Sequence, residues 1–400
     1  MQQSASENTV VFDPKREAWK RFRSDFLALI ALIMLAILLA TALLAPLIAN
    51  PRPLLEYTPQ TGFSMPFWRS FFAPESTEFF IEKLFNYTLL TLPVLLLIGL
   101  CCKKSLLRKI LSISAAVLLM LPFIFTQAKL ERVDYRNAPP SENSFRLMAL
   151  LPYGAFEQVS KPYTQPCQAH PLGCDELGRD LATRIIYGSR ISLAVGLLAT
   201  SLAMLIGIIV GVSAGYIGKW FDIIVMRMVE ILMCFPVFLL LLIIMAYFQE
   251  YKFEQSILAV IGVIAVTGWI GMAQLTRGEV LKLREMVYIK AARASGVPQF
   301  KIIFKHILPN IAGLVVITFS FGAAGAILSE CGLSFLGFGV QPPTASWGNM
   351  LRAAMNAPPA AWHLMVFPGL MLFWIIAGFN LVGEGLRKAI DRKTVIKEKN

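Results

Sequence analysis

The stretch "KAARASGVPQFKIIFKHILPN" occupies residues 290–310. It is basic and amphipathic, and it separates two long apolar runs, 255–276 and 307–329, that contain no charged residue. Six further charge-free windows lie at 26–51, 84–102, 110–128, 191–218, 231–249 and 364–383. A helix rises about 1.5 Å per residue, so about 20 apolar residues cross a hydrocarbon core of roughly 30 Å. The runs lack the alternation of a transmembrane strand. They predict an all-α integral membrane protein of about eight transmembrane helices. The chain is 56% hydrophobic and 16% charged over 400 residues, whereas soluble domains carry nearer a quarter charged residues.

Lys and Arg at the helix ends set the expected orientation. Lys15, Arg16, Lys20, Arg21 and Arg23 precede the first run; Lys103, Lys104, Arg108 and Lys109 separate the second and third. Lys219 and Arg227 lie between the fourth and fifth, and the stretch at 277–310 between the sixth and seventh. Arg387, Lys388, Arg392 and Lys393 follow the eighth. Every second connection is basic, which predicts cytoplasmic N and C termini. This bias accounts for most of the net charge of +12 and calls for no nucleic acid. The first run is too long for a signal-peptide core and is read as a retained anchor.

The segment at 290–310 is therefore expected inside the cell. Residues from Arg284 to Ser295 favour helix, and the small pair Ala291 and Ala292 permits close approach of another surface. Gly296 suits a helix end that needs positive φ, and Pro298 suits the first turn of a second helix. Phe300, Ile303, Phe304 and Ile307 follow at helical spacing and form one apolar stripe. Pro309 marks a turn back into the membrane. A helix lying flat on the anionic inner leaflet is the competing reading.

At these residues the chain resembles the peptide-importer branch of the ABC-importer permeases. Ala291, Ala292, Gly296, Leu308 and Pro309 have the spacing of that family's cytoplasmic "EAA" loop, and His306 stands where many members have histidine. Lys290 departs from the usual Glu. "HPLGCDELGRD" at 170–180, with Gly173, Asp175, Gly178, Arg179 and Asp180, resembles the segment before the second core helix. "SRISLAVG", "AGYIGKWFDIIVMRMVE", "GLSFLGFGVQPPTASWGNML" and "FNLVGEGLRKAID" follow in the family's order.

The resemblance implies a six-helix permease core plus an inserted transmembrane hairpin. Residues 1–50 would hold the cytoplasmic N-terminus and first helix. Residues 51–169 would be an extracytoplasmic insertion with the hairpin at about 84–128, and 170–400 the core with a coupling loop at 277–310. It implies a bacterial inner-membrane subunit of an ATP-driven importer of oligopeptides or dipeptides, working by alternating access. The implied partners are a homologous permease, two nucleotide-binding ATPase subunits, an extracytoplasmic solute-binding protein and membrane lipid. ATP and magnesium would be bound by the ATPase subunits and no cofactor by this chain. A stand-alone transporter or channel, or the same architecture with a solute such as nickel, is the alternative.

Other chemistry finds little support. No stretch fits G-x-x-x-x-G-K-[ST], the phosphate-binding loop of an ATPase; Trp220 follows Gly218 and Lys219. The three histidines, at 170, 306 and 363, are too dispersed for a metal site, and no catalytic constellation stands out. Span interiors offer Thr, Ser, Asn and Gly rather than charges, which argues against a proton-coupled carrier. Gly207, Gly211 and Gly215 suit close helix packing within one subunit or between two. Asp175 and Asp180 flank Arg179, and a local ion pair and a substrate contact are both open. Cys167 and Cys174 lie in the outside segment and could form a disulfide or remain free thiols.

Overall fold

The computed structural model describes residues 14–59, 62–72, 78–101, 105–126, 135–136, 144–250 and 256–390. Helix α1 (Pro14–Ser24) is amphipathic and leads at Asp25 into α2 (Phe26–Ile48), which is apolar all round. Residues 51–169, expected to be an insertion and called so below, contribute β1 (Leu55–Thr58), β2 (Gly62–Ser64), α3 (Phe67–Phe72), α4 (Phe79–Cys101), α5 (Ser105–Phe125) and β3 (Phe145–Leu147). The three strands form an antiparallel sheet of order β2-β1-β3.

The core follows as α6 (Leu181–Ile217), α7 (Lys219–Met233), α8 (Val237–Glu250) and α9 (Ser256–Arg284). Then come the short α10 (Val287–Ala294), the long α11 (Gln299–Leu336), α12 (Trp347–Met355) and α13 (His363–Ile390).

Among the described residues seven helices are long and apolar enough to cross a membrane. The window at 231–249, expected as one straight helix, is instead the bent pair α7 and α8, which meet at 81°. Pro236 sits at the break and has no N–H to continue the helix. Side-chain contacts show how the pair runs. Asp222 at the start of α7 pairs with Arg277 near the end of α9, while Gln249 at the end of α8 donates to the Gly337 carbonyl beyond α11 at 2.7 Å. The pair therefore joins the two ends of the bundle and serves as one crossing, giving eight. At the α10 end, Lys388 lies 3.1 Å from Asp25. Phe22, Ala28 and Ala31 there share a core with Val382 and Ala389. Both described termini therefore lie at this end, called inner below; the opposite end is called outer.

Helices α6 and α9 make the most intimate contact. A Cβ on Gly207 would stand 2.7 Å from the Trp269 carbonyl, and one on Gly211 would collide with the Ala273 carbonyl. These glycines pack two helices of one subunit, which decides between the two readings of that stripe.

The insertion is tied to the core. Glu78, just ahead of α4, accepts hydrogen bonds from Ser256 Oγ at 2.6 Å and the Ile257 N–H at 3.1 Å, and so caps the start of α9. Lys83 Nζ donates to the Phe123 carbonyl at 2.7 Å, and Tyr87 to the Ala116 carbonyl at 3.0 Å, which close the hairpin.

The span interiors hold more charge than expected. Arg190 in α6 and Glu330 in α11 are both fully buried. Each lies one residue beyond a charge-free window, where run-counting does not look.

Candidate functional site

The inner end carries a compact element built from α10 and the first turns of α11. Val212 and Tyr216 of α6, Val280 of α9, Ile289 of α10, and Ile302, Ile307 and Ile311 of α11 form one buried cluster. The element is thus packed rigidly onto the two helices that grip each other most closely. Arg284 Nη1 donates to the Gly215 carbonyl at 3.0 Å, and the Arg293 guanidinium lies 5.1 Å from the centre of the Tyr216 ring.

The local backbone departs from the expected single helix over 284–295. Helix α9 ends at Arg284 and α10 begins at Val287. Gly296 then has φ +74°. Its N–H bonds to the Arg293 carbonyl at 3.1 Å, and the Val297 N–H to the Ala292 carbonyl at 3.1 Å. This is a Schellman end, which needs a left-handed residue. A Cβ on Gly296 would meet nothing within 4 Å, so the requirement for glycine there is conformational.

Past Pro298 the chain does not turn at Pro309. One helix runs from Gln299 to Leu336, with a π turn at Ile303–Ile307. The Leu308 N–H bonds to the Ile303 carbonyl. The wide turn sits directly before Pro309, whose missing N–H and ring would otherwise disrupt a regular ladder. The extra residue also rotates the apolar stripe. Ile302 and Ile307 point into the cluster, while Phe300 is 71% and Phe304 54% exposed. The two rings pack on each other with centroids 4.2 Å apart. Val287, 83% exposed, together with the exposed Met286 and Tyr288, adds apolar surface on α10.

The residues singled out from the sequence fall on different faces. Ala291 is exposed, whereas Ala292 and Leu308 pack against the buried cluster. Lys290 Nζ lies 2.9 Å from Glu285. A hydrogen bond from Lys290 holds the Glu285 carboxyl below its ordinary range. A carboxylate therefore stands beside position 290 although the residue there is lysine. His306 is half-buried near Tyr288, ring centroids 6.3 Å apart, and Pro309 is exposed.

The second constellation, at 170–180, lies at the outer end and is occupied with itself. Asp175 accepts from the Leu177 and Arg179 N–H groups at 2.9 Å, bonds Arg179 Nε at 2.6 Å and lies 3.2 Å from Arg184 Nε. Asp180 caps α6 through the Thr183 N–H at 2.8 Å and bonds His170 at 2.9 Å. Gly173 and Gly178 supply the positive φ of the two turns. These contacts favour the local ion-pair reading over substrate contact.

Of the two readings open for Cys167 and Cys174, the structure has both as free thiols. The Cys167 N–H bonds the His170 carbonyl at 2.9 Å, and the Cys174 N–H the Thr164 carbonyl at 2.9 Å. His363 Nε2 lies 3.1 Å from the Cys174 carbonyl. Backbone bonds order the loop, and they bury one sulfur while exposing the other. Among the described residues no group of His, Cys, Asp and Glu side chains is placed to hold a metal.

Comparison with known proteins adds the following. Residues 203–396 match the model of a family described as binding-protein-dependent transport system inner membrane component. Residues 14–66 match the N-terminal transmembrane domain of oligopeptide transport permease C. A glutathione transport system permease of Pectobacterium atrosepticum is 38% identical over 252 residues, 62% of this chain and 82% of the relative. A dipeptide permease of Alkalihalophilus pseudofirmus is 38% identical over 57% of this chain and 73% of its own length. An oligopeptide permease of Haemophilus influenzae is 41% identical over 56% and 70%.

Proposed function

The chain belongs to the family of binding-protein-dependent inner-membrane transport components, and from that premise we propose that it forms half of a transmembrane path for small peptides, driven by separate ATPase subunits. Relatives named for dipeptide, oligopeptide and glutathione transport support the substrate class. In this reading the inner end faces the cytoplasm, in keeping with its basic connections. A homologous permease completes the path, and an extracytoplasmic binding protein delivers the solute.

The observation that carries the coupling role is the inner element. It presents Phe300 and Phe304 outward while its other face is fused to α6, α9 and α11. An apolar knob that one partner can grip, rigidly joined to three spanning helices, converts a partner's movement into movement of those helices. That is coupling through a shared rigid element. Lys290 and Ala291 lie on α10, Lys290 pairs with Glu285 just before it, and His306 lies near Tyr288. The low charge of most span interiors fits a path for solutes of varied side chain and not a proton relay.

The test is affinity purification of the chain in mild detergent from cells that also produce the neighbouring transport subunits. Two ATPase subunits and a second permease are expected in stoichiometric amounts. A chain that purifies alone and transports in vesicles without ATP would be a stand-alone carrier.

A further inference from the structure

The small sheet of the insertion is inside out for a sheet in water. Tyr57 of β1 is in register with Phe63 of β2 and Phe145 of β3, and Leu55 is in register with Leu147. Side chains alternate across a strand, so these five share one face. That face is uncovered: Phe63 is 73% exposed and Phe145 55%, with Leu147 and the adjoining Met65 also exposed. The opposite face carries Glu56 and Arg146, paired at 2.7 Å, and Arg146 also donates to the Tyr135 carbonyl at 2.9 Å. Antiparallel sheets that border water place the apolar face inward. Here the polar face is turned to the protein and the aromatic face away from it.

The place of the sheet identifies what covers it. Strand β1 begins shortly after the outer end of α2, and the Leu54 N–H bonds the Leu147 carbonyl at 2.8 Å. Residues 48–50 are bonded to Leu151 just beyond β3. Strand β2 ends at Ser64 and α3 begins at Phe67; three residues span at most about 10 Å. Helix α3 lies level with the outer ends of the hairpin. Phe72 packs on Phe123 in the last turn of α5 at 5.0 Å, and the Phe71 carbonyl accepts from Asn86 of α4 at 2.7 Å. The sheet is thus confined near the plane where three apolar spans leave the hydrocarbon. The headgroup layer there is about 5–7 Å deep on each side. The outer ends of the hairpin are likewise apolar and exposed, at Phe79 and Phe80 of α4 and Ile124 and Phe125 of α5. Aromatic side chains concentrate in this layer because their rings suit its mixed polarity.

We propose that the face formed by Leu55, Tyr57, Phe63, Phe145 and Leu147 is a lipid contact, lying on the headgroup layer of the outer leaflet and anchoring the insertion to the membrane surface. This rests on the sheet and its neighbours and not on the identity of the transported solute. It gives the insertion a hold on the membrane in addition to its contacts with the core, such as the Glu78 cap on α9.

The full chain in vesicles of phosphatidylethanolamine and phosphatidylglycerol, containing a phospholipid with a photoactivatable diazirine near its glycerol, tests this. After irradiation, labelled peptides are mapped by mass spectrometry, for the chain alone and for the complete transporter. The peptides bearing Phe63 and Phe145 are expected to be labelled to a degree comparable with the exposed outer end of α5 at Phe125. The polar segment around Lys161 stays unlabelled. The double variant Phe63→Asp and Phe145→Asp should lose labelling at the strands severalfold while α5 stays labelled. Absence of strand labelling in the native chain would overturn the proposal. So would labelling of the isolated chain that disappears in the complete transporter, which would assign the face to a protein partner.

Discussion

Arg190 Nε donates to the Ala42 carbonyl at 2.7 Å, the carbonyl that Pro46, four residues on, leaves without an intrahelical donor. Arg190 Nη2 reaches the Leu43 carbonyl at 3.3 Å. The guanidinium is roofed by Phe85 of the inserted hairpin and by Tyr187, each ring centre 5.5 Å away. A proline in the first span, a charge in the fourth and an aromatic of the insertion thus form one unit.

This unit makes Arg190 and Pro46 energetically dependent. Arg190→Met should lower stability by about 1–3 kcal/mol, the cost of leaving buried acceptors unpaired. Pro46→Ala restores an N–H for Ala42, so the same Arg190→Met change should cost less in that background, with a coupling of about 0.5–3 kcal/mol. Thermal unfolding of the four proteins in one detergent checks this. Additive costs would mean that Arg190 does not serve the carbonyl freed by Pro46.

The two outer cysteines should differ in reactivity. Burial, aided by the negative charge of Asp180, pushes the Cys174 thiol up to about 12. Only the thiolate reacts, and a raised value leaves almost none at neutral pH. N-ethylmaleimide should therefore modify the exposed Cys167 in the native protein without prior reduction, and Cys174 only after unfolding. Mass mapping of alkylated peptides reads both. Protection of both until a reductant is added would contradict the free thiols.

Close packing of α6 on α9 predicts a contrast between glycines. Gly211→Val must push the helices apart, at a cost of about 1–3 kcal/mol from overpacking. Gly271 on α9 meets nothing within 4 Å, so Gly271→Ala should be neutral or stabilise by up to about 1 kcal/mol. Melting temperatures of the two variants decide. Equal effects would mean that α6 and α9 are not held by backbone contact.

The runs of apolar residues made the spans legible, because each helix must satisfy its own backbone in lipid. The bend at Pro236 was less legible. The window at 231–249 is long enough for one span, and only the contacts of Asp222 and Gln249 reveal that two helices share the crossing. Gly296 was legible from its place at a helix end. The stripe of Phe300, Ile303, Phe304 and Ile307 assumes regular helical spacing, and the π turn at Ile303–Ile307 breaks that spacing. Its signal in the sequence is Pro309, which marks a widened turn of one helix and not a turn of the chain. Cys167 and Cys174 show the limit of spacing: seven positions allow a bridge, but the backbone bonds that order the loop around them are invisible in the sequence. Glu78 capping α9 could not be read at all, since its partners lie far along the chain.

In the proposed coupling, Phe300 and Phe304 transmit the ATPase cycle to the spanning helices. Replacing both by Asp leaves the buried cluster of Ile289, Ile302 and Ile307 untouched, so the chain should insert and resist protease as the native chain does. The decisive measurement is ATP hydrolysis by the complete transporter in proteoliposomes, with and without peptide-loaded binding protein. The account predicts that peptide-dependent stimulation disappears in the double variant and persists in the control Gly296→Asn, since Asn also adopts positive φ. Stimulation of the double variant equal to that of the native complex would contradict it.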